Sequence, residues 1–261
     1  MFELNTLHDF MINLLLAGTR IGVALYTVPF FHQSTLLPMV RNAMIISFTI
    51  PVLPLILSYQ LPRQEVAMYL LALIAKEALL GFILGFVIGI VFWAAQNAGN
   101  LIDTQRGAFF AIMQDPLTKA DTTPLGNFFF QLSTILFFIC GGFREIIGAI
   151  IESYQIWPIH RYFPEINHNL VVFFAQQLIR CLNLTVIFAA PVLISAFLAD
   201  LALGVLNRFA PEMNIFMISL PLKSAIASFV LVLYITFFVK YLQGNFMDAQ
   251  AFLQIISKVI R

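Results

Sequence analysis

The stretch VAMYLLALIAKEALLGFILGFVIGIVFWAA, Val66 to Ala95, contains no proline and, apart from the adjacent pair Lys76 and Glu77, no charge. As helix it would run about 45 Å at 1.5 Å per residue, longer than the ~20 residues that cross a bilayer. Strands are seldom so long, and periodicity gives this run no polar face, so it is read as a membrane-scale helix buried largely against protein. Such a helix must tilt, break or extend beyond the membrane.

Five further apolar stretches share this character: Phe10 to Phe31, Val40 to Tyr59, Leu125 to Phe143, Leu170 to Leu206 and Ile215 to Lys240. The chain of 261 residues is 61% hydrophobic and 10% charged, where an ordinary globular domain is about 25% charged. An all-α integral membrane protein with six apolar runs is expected. A net charge of +1 without a basic cluster gives no reason to expect nucleic acid as a partner. Cys140 and Cys181 lie inside apolar runs and read as reduced small hydrophobes. Glu3 and Asp9 stand where a cleavable signal would carry a basic region, so none is expected. Lys and Arg divide too evenly among the loops for the positive-inside rule to set an orientation.

The runs are not clean. Arg20, Lys76, Glu77, Arg180, Asp200 and Lys223 fall within them, and each would cost roughly 2.5–3.5 kcal/mol at the centre of a lipid-facing helix. Arg20 and Lys223 either snorkel from helix ends or find partners. Lys76, Glu77 and Asp200 have apolar residues on both sides and need protein or water. Glu77 or Asp200 is either a proton-relay carboxylate or one tied to a base in a helix interface, and Asp200 shares a rough stripe with Gly204 and Arg208. Pro29, Pro51, Pro54, Pro191 and Pro221 interrupt the runs, which is tolerated where protein or a watery cavity satisfies the freed backbone groups. Gly81, Gly85 and Gly89 recur every fourth residue and clear one face for a close helix contact.

One segment fits neither a span nor a surface loop: GNLIDTQRGAFFAIMQDP, Gly99 to Pro116. Asp103 and Arg106 stand three residues apart, followed by Phe109, Phe110, Ile112 and Met113. Gly99 and Gly107 are expected to allow hinge conformations there. No catalytic, metal or cofactor constellation is visible. His8, His32, His160 and His168 are scattered, and there is no phosphate loop, dinucleotide fingerprint or nucleophile elbow. No enzyme activity and no cofactor are expected.

KEALLGFILGF (Lys76 to Phe86), GNLIDTQRGAFFAIMQDP and ADLALGVLNRFAPEMNIFMISLPLKS (Ala199 to Ser224) together resemble the FliR/SctT family, the T-type export-gate proteins of bacterial type III secretion. IDTQRG resembles the virulence-injectisome branch more than the flagellar one. The resemblance implies a fusion of a four-helix R-type (FliP-like) unit, residues 1–167, with an S-type (FliQ-like) helical hairpin, residues 168–242, and a C-terminal amphipathic tail, residues 243–261. The hairpin tip would be Asn207, Arg208, Pro211 and Asn214. It further implies one copy completing a hetero-oligomeric ring with R-type (SctR/FliP) and S-type (SctS/FliQ) subunits in the bacterial inner membrane. That ring would sit within the secretion basal body, displaced toward the periplasm.

A U-type switch protein and a V-type export-motor protein would be neighbours, and unfolded secreted proteins the substrate. Gly107, Phe109, Phe110, Ile112 and Met113 would belong to a lumenal plug, with Asp103 and Arg106 anchoring its base. The alternative for that loop is a re-entrant segment packing under the helices. The rival readings of the whole chain are a six-span secondary transporter using Lys76, Glu77 and Asp200, which should show internal repeats, and an intramembrane enzyme. Neither the repeats nor a nucleophile-base set is found.

Overall fold

The computed structural model describes residues 2–31, 37–54, 66–107, 123–159, 169–209 and 215–246, and no strand occurs among them. The helices are α1 (Phe2–Thr27), α2 (Pro38–Thr49), α3 (Val66–Gln105), α4 (Pro124–Ile139), α5 (Gly142–Ile156), α6 (Asn169–Phe209) and α7 (Ile215–Phe246). Four of them, α1, α3, α6 and α7, are long and apolar enough to cross a membrane, five spans in all if α4 and α5 are counted as one bent span. Of the second expected stretch, Val40 to Tyr59, the structure describes the part up to Pro54. α2 has 12 residues and passes into a 3-10 turn at Ile50–Val52. Pro51 has no N–H to donate and its ring opposes continuation of the helix, so the turn tightens there. The expected tail lies, beyond Phe246, outside the described residues.

Two of the long stretches are continuous helices rather than broken ones. α3 has 40 residues and α6 has 41, about 60 Å each. Pro191 and Pro221, expected to interrupt their runs, stand inside α6 and α7. At Pro191 a reason is visible. A proline there cannot donate to the carbonyl of Ile187, four residues earlier, and the Tyr234 hydroxyl on α7 donates to that oxygen at 3.3 Å. Tyr234→Phe is therefore expected to expose an orphan carbonyl and destabilise the α6–α7 pair by about 1–2 kcal/mol. An unchanged melting temperature of the purified protein would remove this role.

Contacts group the chain into two compact units assembled from separated segments. The first contains the residues up to Ile90 together with Gly141–Gln177. In it α1 buries Leu16, Ala17, Arg20, Ile21, Ala24 and Leu25, the i, i+1, i+4, i+5 stripe of a helix facing a core. Arg41 on α2 is also buried, stacked at 3.8 Å over the Tyr26 ring. The second contains Val91–Cys140 and Leu178–Met247. Its core is aromatic. The Phe238 ring on α7 stacks on Phe129 of α4 at 4.5 Å and meets Phe188 of α6 edge-on at 4.9 Å. Ala94, Ala95 and Ala98 of α3 are fully buried. The Thr185 hydroxyl of α6 donates to the Ala94 carbonyl at 3.4 Å, a polar bond between closely packed helices.

Candidate functional site

Two arrangements gather the residues singled out in the sequence, one in each unit. In the first unit Arg20 and Glu77 are completely buried. The guanidinium grips the carboxylate with two bonds, Nε to Oε2 at 2.6 Å and Nη2 to Oε1 at 3.0 Å, the bidentate geometry that makes Arg–carboxylate pairs strong. Lys76 Nζ reaches the same carboxylate at 3.0 Å. Two cations against one anion would leave an excess positive charge without water to dissipate it. Three successive carbonyls answer it. Trp157 O accepts from Arg20 at 2.9 Å, and Pro158 O and Ile159 O accept from Lys76 at 3.2 and 2.8 Å.

Arg20 also donates to Ser153 Oγ at 3.1 Å and lies 4.1 Å from the centre of the Tyr154 ring, and Tyr154 Oη donates to Ala17 O at 2.7 Å. The segment from Arg144 to Asn169, to which the sequence assigns no role, thus supplies, through Ser153, Trp157, Pro158 and Ile159, the neutral acceptors that supplement the Glu77 carboxylate. Its signal was Ser153, placed on the apolar stripe Ile146, Ala149, Ile150 of an otherwise amphipathic helix.

Beside this cluster α3 lies directly on α1. A side chain at Gly81 would strike the Arg20 carbonyl and come within 3.1 Å of Ala24 N, and one at Gly85 would strike the Ala24 carbonyl and come within 2.7 Å of Thr27 Cβ. Gly89 continues the same stripe and is buried.

In the second unit the two ends of the expected plug loop are held together. Residues 108–122, including Phe109, Phe110, Ile112 and Met113, lie outside the described residues, but both ends of the loop are described. α3 ends at Gln105, and Gly107 then takes a left-handed conformation, φ 79°, the usual helix-terminating role of glycine. The Leu220 side chain packs where a Cβ of Gly107 would be. Asp103, fully buried, pairs with Arg106 at 2.5 Å, and its other oxygen accepts from the Leu125 amide at 2.8 Å. A carboxylate at a helix N-terminus satisfies an orphan N–H and meets the positive end of the helix dipole.

Asn100 Oδ1 accepts from Thr123 N at 3.2 Å and from Thr123 Oγ1 at 2.9 Å, while Thr123 caps α4 by accepting from Gly126 N at 3.1 Å. Gly99, expected as a hinge, is instead an interior helical residue: a Cβ there would be 2.6 Å from Gly126 Cα. It permits backbone contact, not bending. Asn100, Thr123 and Gly126 went unremarked in the sequence, although Asn100 and Asp103, three apart on one helix face, were legible as a pair.

Asp200 pairs with Lys223 across the α6–α7 hairpin at 2.6 Å, with the Asp200 side chain 42% exposed. Its partner stands on the neighbouring helix and not on its own stripe. At the hairpin tip Asn207 and Arg208 are exposed in the last turn of α6, whereas Pro211 and Asn214 lie outside the described residues.

Comparison with known proteins adds the following. Residues 11–249 match the family described as bacterial export proteins, family 1. The chain is 39% identical over 197 residues to Yop proteins translocation protein T of Yersinia pestis, covering 75% of each chain. It is 35% identical over 209 residues to secretion system apparatus protein SsaT of Salmonella typhimurium, again covering 75% of each. It is 28% identical over 230 residues to flagellar biosynthetic protein FliR of Bacillus subtilis, covering 88% of each.

Proposed function

The chain belongs to the bacterial export proteins, family 1, the FliR/SctT family, and on that premise we propose that it is a structural, non-enzymatic subunit of a type III secretion export gate. The higher identity to the secretion proteins of Yersinia and Salmonella than to the flagellar one favours the injectisome branch. In this reading the chain joins R-type and S-type subunits in one inner-membrane complex displaced toward the periplasm. It is itself an R-type-like unit fused to an S-type-like hairpin near residue 167. U-type and V-type proteins are its neighbours, and unfolded secreted proteins pass the pore.

The observation that carries the proposal is the clamped base of residues 108–122. Asn100, Asp103 and the Gly99–Gly126 contact hold the two ends together. In this reading the apolar residues Phe109, Phe110, Ile112 and Met113, which lie between those ends in the sequence, form the plug. An apolar constriction excludes water and with it ions, and many weak contacts allow such a seal to yield to an arriving polypeptide. The charges a transporter would use for substrate are here neutralised by named partners in the chain.

Changing Phe109, Phe110 and Met113 together to serine is expected to leave the complex assembled while the resting membrane leaks small ions. A disulfide engineered from the tip to a neighbouring subunit is expected to stop secretion until reduced. An assembled triple variant that holds ions like wild type, together with a cross-linked form that still secretes, rejects the plug.

A further inference from the structure

Of the six charged residues singled out in the apolar runs, five are paired, Arg20 and Lys76 with Glu77 and Lys223 with Asp200; Arg41, also in a run, is bound to Tyr26 and the Phe31 carbonyl, and Lys240 stands at the end of its run. Arg180 is the exception, with no hydrogen bond or ion pair among the described residues. It stands on α6, about 16 Å from the start of that helix at 1.5 Å per residue, inside the span Val171–Phe209.

The hairpin cannot neutralise it. Asp200 is the sole carboxylate in the sequence of α6, some 30 Å further along the helix, and it is already held by Lys223. α7 carries no acidic residue. Around Arg180 the exposed surface is otherwise largely apolar, with Ile179, Leu182, Val186 and Ile187, and the exposed amides of Gln176 and Asn183 stand one turn to either side of it. A permanently charged guanidinium flanked by two amides in an otherwise apolar helix face calls for a negative charge to meet it.

We propose that the α6 face carrying Arg180 and Asn183 docks a helix of another subunit of the export complex, whose carboxylate pairs with Arg180 and whose polar group meets Asn183. The inference rests on the reading of the chain as a gate subunit. Apolar residues around the pair exclude water from it, and the fork of the guanidinium selects a carboxylate in one register, so Arg180 sets which helix docks and where along α6 it stops.

The test is affinity purification of the complex from membranes with partner subunits quantified. Arg180→Lys is expected to recover partners near the wild-type level. Arg180→Gln should recover fewer, and Arg180→Glu, which sets like charges face to face, fewer by about tenfold or more, with abundance of the chain itself unchanged. Second-site revertants of Arg180→Glu are expected to replace one acidic residue of a partner subunit by a neutral or basic one. Wild-type partner recovery with Arg180→Glu overturns the proposal, whether secretion is normal, as for a guanidinium on lipid phosphate, or lost, as for one lining the lumen. Loss of the chain itself in the Arg180→Gln variant overturns it in favour of a role inside the chain. Failure of the wild-type chain to retain any partner counts instead against the gate-subunit reading.

Discussion

Glu77→Ala is expected to empty the membrane fraction of folded chain. The substitution leaves Arg20 and Lys76 facing one another in a site from which water is excluded, with the Glu77 oxygens that accepted from both now gone. Removing one partner of a buried ion pair costs about 3–5 kcal/mol, a large part of the ~5–15 kcal/mol by which a folded domain is stable. The carbonyls of Trp157, Pro158 and Ile159 offset part of the repulsion but carry only partial charge. The loss should appear as increased protease cutting after Trp157, because the same cations hold that segment. A companion variant separates charge from shape: Arg20→Met, Lys76→Met and Glu77→Leu together should recover most of the stability, since apolar side chains of similar volume replace buried ion networks at little cost. Protease resistance of Glu77→Ala equal to wild type would sink this account, as would a triple variant no better than the single one.

Gly85→Leu is expected to prevent the first unit from folding even when the chain is produced without any partner. The α1 and α3 backbones touch at this position, where a first side-chain carbon would strike the Ala24 carbonyl and come within 2.7 Å of Thr27 Cβ. Overpacking relieved by rotamer changes costs about 1–3 kcal/mol. Here the obstructing atoms are partly backbone, so the helices must separate, and separation also pulls Glu77 from Arg20. Gly81→Leu should behave alike, because its side chain would strike the Arg20 carbonyl. Measured melting temperature and protease resistance of the isolated chain decide the matter. A Gly85→Leu chain that is stable alone but fails to retain partner subunits would move this glycine contact from inside the chain to a subunit interface.

Both arguments depend on residues that were conspicuous in the sequence, yet their consequences were only half legible there. Lys76 and Glu77 announced a need for partners, because charge in an apolar helix is costly wherever the helix lies. Which partners answered depended on chain segments 57 to 83 residues away, and no local pattern encodes such distances. The glycine stripe announced a close approach without naming the helix. Asp103 stood out as a charge beside an apolar loop, but its hold on the Leu125 amide required knowing that α4 begins at Pro124 and turns its free N–H groups toward α3. Pro191 read as an interruption because local propensity treats a proline as a break. In the tertiary structure Tyr234 accommodates the orphan carbonyl, and the helix runs through.

By itself the sequence determined the class of solvent, the helical character of the chain and its family. Those rest on composition, on uninterrupted apolar length and on motif order, which are properties of local sequence. Only the tertiary structure decided that the helix of the second apolar stretch tightens into a turn at Pro51, that Gly99 is a contact and not a hinge, and that Arg20, Lys76, Glu77, Asp200 and Lys223 are paired within the chain. Each is settled by what a residue meets across space. The free energy of a buried charge or a missing side chain is set by its neighbours, and in a chain of long helices those neighbours come from remote sequence.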